Sequence, residues 1–232
     1  MNLCIHRAKQ TSESIELGIL LALSGGFMDA YSYIGRGGVF ANAQTGNMLL
    51  FGVNISEGNF ETALRYLFPV IFFALGIVLA DYIHTHMSDR FHWRQIATLI
   101  EALILLSVAL FPLEFNLIAN SLTSFACGIQ VETFRKIHGH GIATTMCIGN
   151  LRSAMQNVDD FVLTHNHSSI TNALLYLFII SCFIVGAILG NWAFKIFGKY
   201  AILCSSTVLF ICFCIMFIDR EHPDEDKMPA EL

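Results

Sequence analysis

The sequence predicts an all-α integral membrane protein, with about six transmembrane helices and two extra Gly/Asn-rich segments that insert only partly, built as two internal repeats. Three observations carry this expectation. Hydrophobic residues make up 55% of the 232 residues and charged residues only 13%, with a mean hydropathy of +0.60; a soluble domain carries about 25% charged residues. Six stretches approach the roughly 20 apolar residues that a helix needs to cross the hydrocarbon core. The chain also resembles itself when displaced by 103 residues.

The first stretch, 15–34, follows the polar segment MNLCIHRAKQTSESIE. That segment is too long and polar for a secretory signal and no small-residue cleavage site follows, so a retained helix is expected. The other five stretches are 63–83, 96–113, 116–134, 170–194 and 200–218. Segments 38–54 and 141–158 are apolar but rich in Gly, Asn, Thr and Gln, too polar for a confident span and too apolar for a plain loop. No long linker divides the chain. Residues 1–218 therefore read as one polytopic membrane domain, with repeat 1 at about 15–113 and repeat 2 at about 116–218, and 219–232 as a short acidic tail. The net charge of −5 is concentrated in that tail, and no basic patch interleaved with aromatics points to a nucleic acid.

At an offset of 103, Gly25 meets Gly128, Asp29 meets Glu132, Gly38 meets Gly141, and Gly46-Asn47 meets Gly149-Asn150. Beyond the loop DDFVLTHNHSS the offset becomes 110, and Phe73, Gly76, Ala80 and Asp81 fall on Phe183, Gly186, Gly190 and Asn191. Three spans in each half give halves of opposite orientation, the inverted-repeat plan of many transporters. Spanning by the two ambiguous segments as well gives the alternative of eight spans, 4+4, in parallel. Lys and Arg accumulate on the cytoplasmic side. Six spans with a cytoplasmic N-terminus place Arg7, Lys9, Arg90, Arg94, Arg135, Lys136, Arg152, Arg220 and Lys227 inside, against Arg36, Arg65, Lys195 and Lys199 outside. Eight spans divide them almost evenly, so six is preferred.

Asp29 and Glu132 are the carboxylates that the repeat pairs within expected spans. A charged group inside the bilayer costs about 2.5–3.5 kcal/mol on insertion scales, and such residues mark solute or proton paths; the bland reading is an interhelical hydrogen bond, or for Glu132 a pairing with nearby Arg135 or Lys136. Gly25 and Gly26 precede Asp29 by one turn and weaken the helix there by about 1 kcal/mol each relative to Ala, or simply admit a close neighbour. In QTGNM and CIGNL, Thr45, Gly46, Asn47, Gly149 and Asn150 offer turn conformations and amide donors and acceptors to a solute, or satisfy a buried turn. Gly76, Ala80, Gly186 and Gly190 form small-xxx-small pairs suited to close helix packing, between the repeats or between copies in a homo-oligomer.

The candidate binding set is thus Gly25, Gly26, Asp29, Thr45, Gly46, Asn47, Glu132, Gly149 and Asn150, with no catalytic, metal or cofactor site. His84/His86, His138/His140 and His165/His167 are HxH pairs at expected span ends without nearby Cys ligands, read as interfacial histidines. The seven cysteines form no CxxC pair, and Glu101, six residues into its segment, is expected near an interface. No phosphate-binding glycine motif or nucleophile elbow is present.

The run GFMDAYSYIGRGGVFANAQTGNMLLFG resembles the signature of the YoaK-type family, bacterial multi-pass membrane proteins classed under a domain of unknown function. Gly26, Asp29, Ala30, Gly38, Phe40, Thr45, Gly46 and Asn47 carry the resemblance, joined by GNLRSA in the second half. It implies a bacterial inner-membrane protein with about six spans and supplies neither substrate nor mechanism. The expected function is a small-solute transporter or permease, with Asp29 binding a cationic or hydroxyl-bearing solute or carrying a coupling proton, and with lipid and an unidentified small solute as partners. The alternatives are a non-transporting assembly partner or sensor, and an embedded enzyme using the histidines.

Overall fold

The computed structural model describes residues 14–86, 93–137 and 139–217. The acidic tail, the N-terminal polar segment and His138 lie outside the described residues. Eight α-helices follow: α1 (Ile15–Gly35), α2 (Gln44–Ser56), α3 (Phe60–His86), α4 (Trp93–Val108), α5 (Asn116–Thr133), α6 (Cys147–Thr164), α7 (His167–Phe197) and α8 (Ile202–Ile215). Six coincide with the six expected spans. The other two begin within the two ambiguous segments and run past their expected ends, each preceded by irregular backbone.

Local chemistry sets several ends. Ser14 accepts the Leu17 N–H at 3.2 Å and starts α1; Asn166 accepts the Ser168 N–H at 3.0 Å and starts α7. Gly37 and Gly38 take positive φ directly after α1, which lets the chain fold back on the helix it has just left.

Side-chain contacts define two ends of the bundle. At one, the Arg36 side chain joins the end of α1 to the last carbonyls of α4 and to Asn116 at the start of α5, and Tyr31 joins it to Lys199 between α7 and α8. At the other, Ile137 after α5 lies against Gly18, and Gln95 at the start of α4 donates to the Met216 carbonyl beyond α8 at 2.9 Å. Helices α1, α3, α4, α5, α7 and α8 run from end to end. Helices α2 and α6 do not. The segment after Arg36 turns back along α1 until Asn42 reaches Gly25, eleven residues or about 16 Å below the helix end. The segment after α5 comes from the opposite end and brings Thr144 and Thr145 to the same Gly25. Each half-length helix starts there and returns to the end its loop came from.

The main helix contacts keep their pattern when α1, α2, α3 and α4 are exchanged with α5, α6, α7 and α8. The most extensive contacts are α1 with α7 and α5 with α3; α2 lies on α3 as α6 lies on α7, α8 on α1 as α4 on α5, and α4 on α8. Glycines make the two major contacts. Gly26 lies against the Phe183 carbonyl and Gly186 against the Leu23 carbonyl, as Gly128 lies against the Phe73 carbonyl and Gly76 against the Phe125 carbonyl. This corrects the register read from sequence. Gly26, not Gly25, corresponds to Gly128, an offset of 102 within the helices, so Asp29 falls over Val131 and Glu132 over Ala30. The offset returns to 103 in the loops. Of the two uses expected for the small-residue pairs, packing within the chain is the one seen: Gly76 and Ala80 are buried in α3, and Gly186 and Gly190 face α1.

A side chain at Gly26 has no room beside a main-chain carbonyl. Gly26→Val is therefore expected to force α1 off α7, costing about 1–3 kcal/mol or more and lowering the melting temperature of the purified protein by several degrees. Gly149→Ala, built into open space on α6, serves as the control and is expected to melt at or slightly above the wild type.

The polarity is that of a chain in lipid. Ser24, Asn42, Asn47, Glu101, Asn120, Thr123, Ser124 and Gln130 are buried, while Leu64, Phe68, Ile71, Leu75 and Val78 of α3 and Leu174, Phe178, Val185 and Leu189 of α7 face outward. Among the described residues three stretches are long and apolar enough to cross a membrane: Ile15–Gly35, Phe60–His86 and His167–Ile215, the last comprising α7 and α8.

Candidate functional site

Gly25 is where the two loops meet. Asn42 Nδ2 donates to the Gly25 carbonyl at 3.0 Å, and a Cβ at Gly25 would lie 2.9 Å from the Thr144 carbonyl and 3.3 Å from the Thr145 methyl. One turn along, Asp29 Oδ1 accepts the Asn42 N–H at 2.7 Å, with the N–H groups of Ala41 and Ala43 also turned to its carboxylate. No side chain within α2 caps that helix, so Asp29 supplies from α1 the anion its N-terminus favours. One turn in the other direction, Gln130 Nε2 donates to Thr144 Oγ1 at 3.0 Å and to the Leu21 carbonyl at 3.2 Å. The loops are fixed by α1 and α5 as much as by their own helices.

Several polar atoms of this cluster are buried without a partner among the described residues: Ser24 Oγ, Asn42 Oδ1, Gln130 Oε1 and Thr145 Oγ1. Asp29 is half-buried rather than closed off. The set consists of acceptors and hydroxyls contributed by both loops and by α1 and α5. Unsatisfied acceptors in an apolar bundle call for a donor-bearing guest, whether ammonium, hydroxyl, amide or water.

The residues singled out from sequence divide sharply. Gly25 and Asp29 belong to the cluster. Gly26 faces away, onto α7. Glu132 pairs with Arg135 at the end of α5 and does not face Asp29. Thr45 and Gly149 are exposed on the outer sides of α2 and α6, and Gly46 lies under the Phe40 ring, 2.8 Å from where a Cβ would stand. Asn47 accepts the Phe40 N–H at 3.0 Å and donates to the Phe40 carbonyl at 2.8 Å; Asn150 does the same to Ala143, at 3.1 and 2.7 Å. These two amides clamp each loop to the helix that follows it, and their hydrogen-bonding capacity is largely spent there. Asn42, Gln130, Thr144 and Thr145 were not singled out. The 103-residue offset places Asn42 over Thr145, a polar pair that marks the meeting point.

Arg36 was counted from sequence only as an outside charge. It is 1% exposed. Its Nε donates to Tyr31 Oη at 2.9 Å, one Nη to the Pro112 carbonyl at 3.0 Å and to Asn116 Oδ1 at 3.3 Å, and the other Nη to the Phe111 carbonyl at 3.0 Å and the Val108 carbonyl at 3.4 Å. It thus satisfies the carbonyls left over where α4 ends. A charged cleft of about 370 Å³ opens beside it, lined by Glu61, Arg65, Glu114 and Asn120 among others. Glu101 is not interfacial as expected but fully buried in α4.

The histidines stack on neighbouring rings: His84 on Trp93 at 4.4 Å, His86 on Tyr82 at 4.0 Å, and His165 and His167 beside Phe161. No group of three or more His, Cys, Asp or Glu side chains able to hold a metal occurs among the described residues.

Over 203 residues the chain is 26% identical to the UPF0700 transmembrane protein YoaK of Bacillus subtilis (strain 168), covering 82% of this chain and 88% of that protein. No solved structure matches it. The model of the family described as "Protein of unknown function (DUF1275)" matches residues 17–215, from the first turn of α1 to the end of α8, and the chain belongs to that family of membrane proteins.

Proposed function

We propose that the protein is a small-solute transporter or permease of the bacterial cytoplasmic membrane, multi-pass, with six spans and two re-entrant hairpins arranged as inverted repeats. The observation that carries this reading is the meeting of two loops, entering from opposite ends, around half-buried Asp29 and unpartnered Asn42 Oδ1 and Thr145 Oγ1. Irregular backbone at membrane depth is tolerated only inside protein or along a water-filled path. Transporters use such broken segments, with helix ends at mid-depth, to hold solutes. The exchange of helices that keeps the pattern of main contacts supports the repeat. Burial of Arg36 removes one charge from the outside count, which favours six spans with both termini cytoplasmic. The acceptor-rich lining favours a cationic or hydroxyl-bearing solute, and we read the protein as non-enzymatic.

The test is a thermal-shift screen of purified protein against amines, polyols, amides and inorganic ions. A ligand at 100 times its dissociation constant stabilises the folded state by about 2.7 kcal/mol, well within detection. A donor-bearing hit that is lost in Thr145→Val supports the site; hits confined to compounds without donors sink it. One observation favours the rival reading of a non-transporting assembly partner or sensor: Asp29 holds the loop through main-chain N–H groups, a purely structural task. That reading predicts that Asp29 and the Gly-Asn steps matter for stability alone.

A further inference from the structure

Glu101 stands outside the cluster just described. It lies in the middle of α4, is 0% exposed, and neither Oε1 nor Oε2 has a hydrogen-bond partner. The ion pairs described, Arg65–Glu61 and Arg135–Glu132, do not include it. Its surroundings are closed on every side that packs against α4. Helix α3 brings Leu79 and Ala80. From α8, Ser206 Oγ donates to the Ala102 carbonyl at 2.8 Å, which fixes that helix next to Glu101, and the Cys212 thiol lies within its electrostatic reach. From α5 comes the Cys127 thiol, which lies within reach of both Glu101 and Asp29 and 3.8 Å from Met28 Sδ of α1. Those two thiols and Asp29 are the ionisable groups that the described residues bring to this region.

An ionised carboxylate deprived of both water and partners is among the costliest groups to bury, and a bound proton removes the cost. A metal ion is a poor alternative, because hard cations require six or more oxygens and no cluster of ligating side chains occurs among the described residues. Asp29, by contrast, has main-chain N–H donors on its carboxylate and is only partly buried. We propose that Glu101 is an internal proton-binding site, separate from Asp29, whose carboxylate is engaged by main-chain N–H groups at the loop junction. Uptake forms an O–H bond on one Oε and leaves the carboxyl neutral; release returns the proton to water. Use of this proton for coupling rests on the transport reading above, whereas proton binding itself does not.

The test uses full-length protein reconstituted in lipid. Infrared spectra of wild type and E101Q are compared at neutral pH, in water and in deuterium oxide, and wild type is treated with dicyclohexylcarbodiimide, which attacks protonated carboxyls in apolar surroundings. The expected result is a deuterium-sensitive carboxylic acid band that disappears in E101Q, together with a carbodiimide adduct mapped to Glu101. An acid band unchanged in E101Q overturns the proposal. So does wild-type protein with no adduct at Glu101, a measurement that needs no variant to fold. An acid band at Glu101 without any solute hit leaves the proton site standing and removes transport; a solute hit without the band does the reverse.

Discussion

Replacing Arg36 with lysine is expected to destabilise the protein by about 3 kcal/mol, and replacing it with methionine by more. The guanidinium donates five hydrogen bonds in one buried spot, to Tyr31 Oη, Asn116 Oδ1 and the carbonyls of Val108, Phe111 and Pro112. An ammonium has three donors around one nitrogen and cannot reproduce a planar fork spread over five acceptors. At least two acceptors are then left buried and unpaired, at about 1–3 kcal/mol each. Methionine fills the volume and satisfies none of them. It also leaves Tyr31, whose hydroxyl donates to the Lys199 carbonyl at 3.0 Å, without the donor that orients it. The loss reaches beyond one contact, because Arg36 ties the ends of α1 and α4 to the start of α5 and, through Tyr31, to the junction of α7 and α8. For a chain of this size the lysine variant should melt about 6–12 °C below wild type. Wild-type melting of Arg36→Met would show that the α4 carbonyls find other donors, and would end this account of the bundle end.

Arg36 also shows why some of the site could not be read from sequence. Three of its partners are main-chain carbonyls, which every residue carries, so nothing in the stretch YSYIGRGG separates an arginine capping a neighbouring helix from one facing headgroups. Asn47 and Asn150 are the same case: their recurrence was visible, but their partners are the backbone of residues seven positions earlier. Features written in side-chain pattern were legible. The helix segments follow from runs of apolar residues, the two half-length helices from Gly, Asn and Thr inside such runs, and the tight packing of α3 and α7 from Gly76 and Gly186. Register within α1 and α5 differs by one residue from the alignment of the loops, where Gly38 over Gly141 and Gly46 over Gly149 keep the offset of 103. In the structure Gly26 and Gly128 decide it, since they lie alike against the Phe183 and Phe73 carbonyls of their partner helices. Glu101 escaped for a related reason: hydropathy sets its depth along α4 but not the face it occupies.

The clearest separation of structure from binding is expected at Asp29, from two variants read together. Asp29→Asn retains a side-chain oxygen where the Asn42 N–H donates at 2.7 Å, so the loop should stay seated and the melting temperature should change by only a few degrees. Asp29→Ala leaves that N–H, and the charge it favours at the start of α2, without an acceptor. A hydrogen bond to a charged group contributes about 1.5–3 kcal/mol, and the melting temperature should fall accordingly, by roughly 3–12 °C. If the cluster binds a cationic guest, the asparagine variant should lose most of the ligand-induced stabilisation although it remains folded and inserted, because the attraction came from the charge and not from the shape. Equal ligand stabilisation in wild type and Asp29→Asn would remove the charge from recognition and leave Asn42 and Thr145 to carry it. A melting temperature for Asp29→Asn as low as that of Asp29→Ala would show that the charge itself seats the loop at Gly25, and that the carboxylate is kept in the bundle for the fold rather than for a guest.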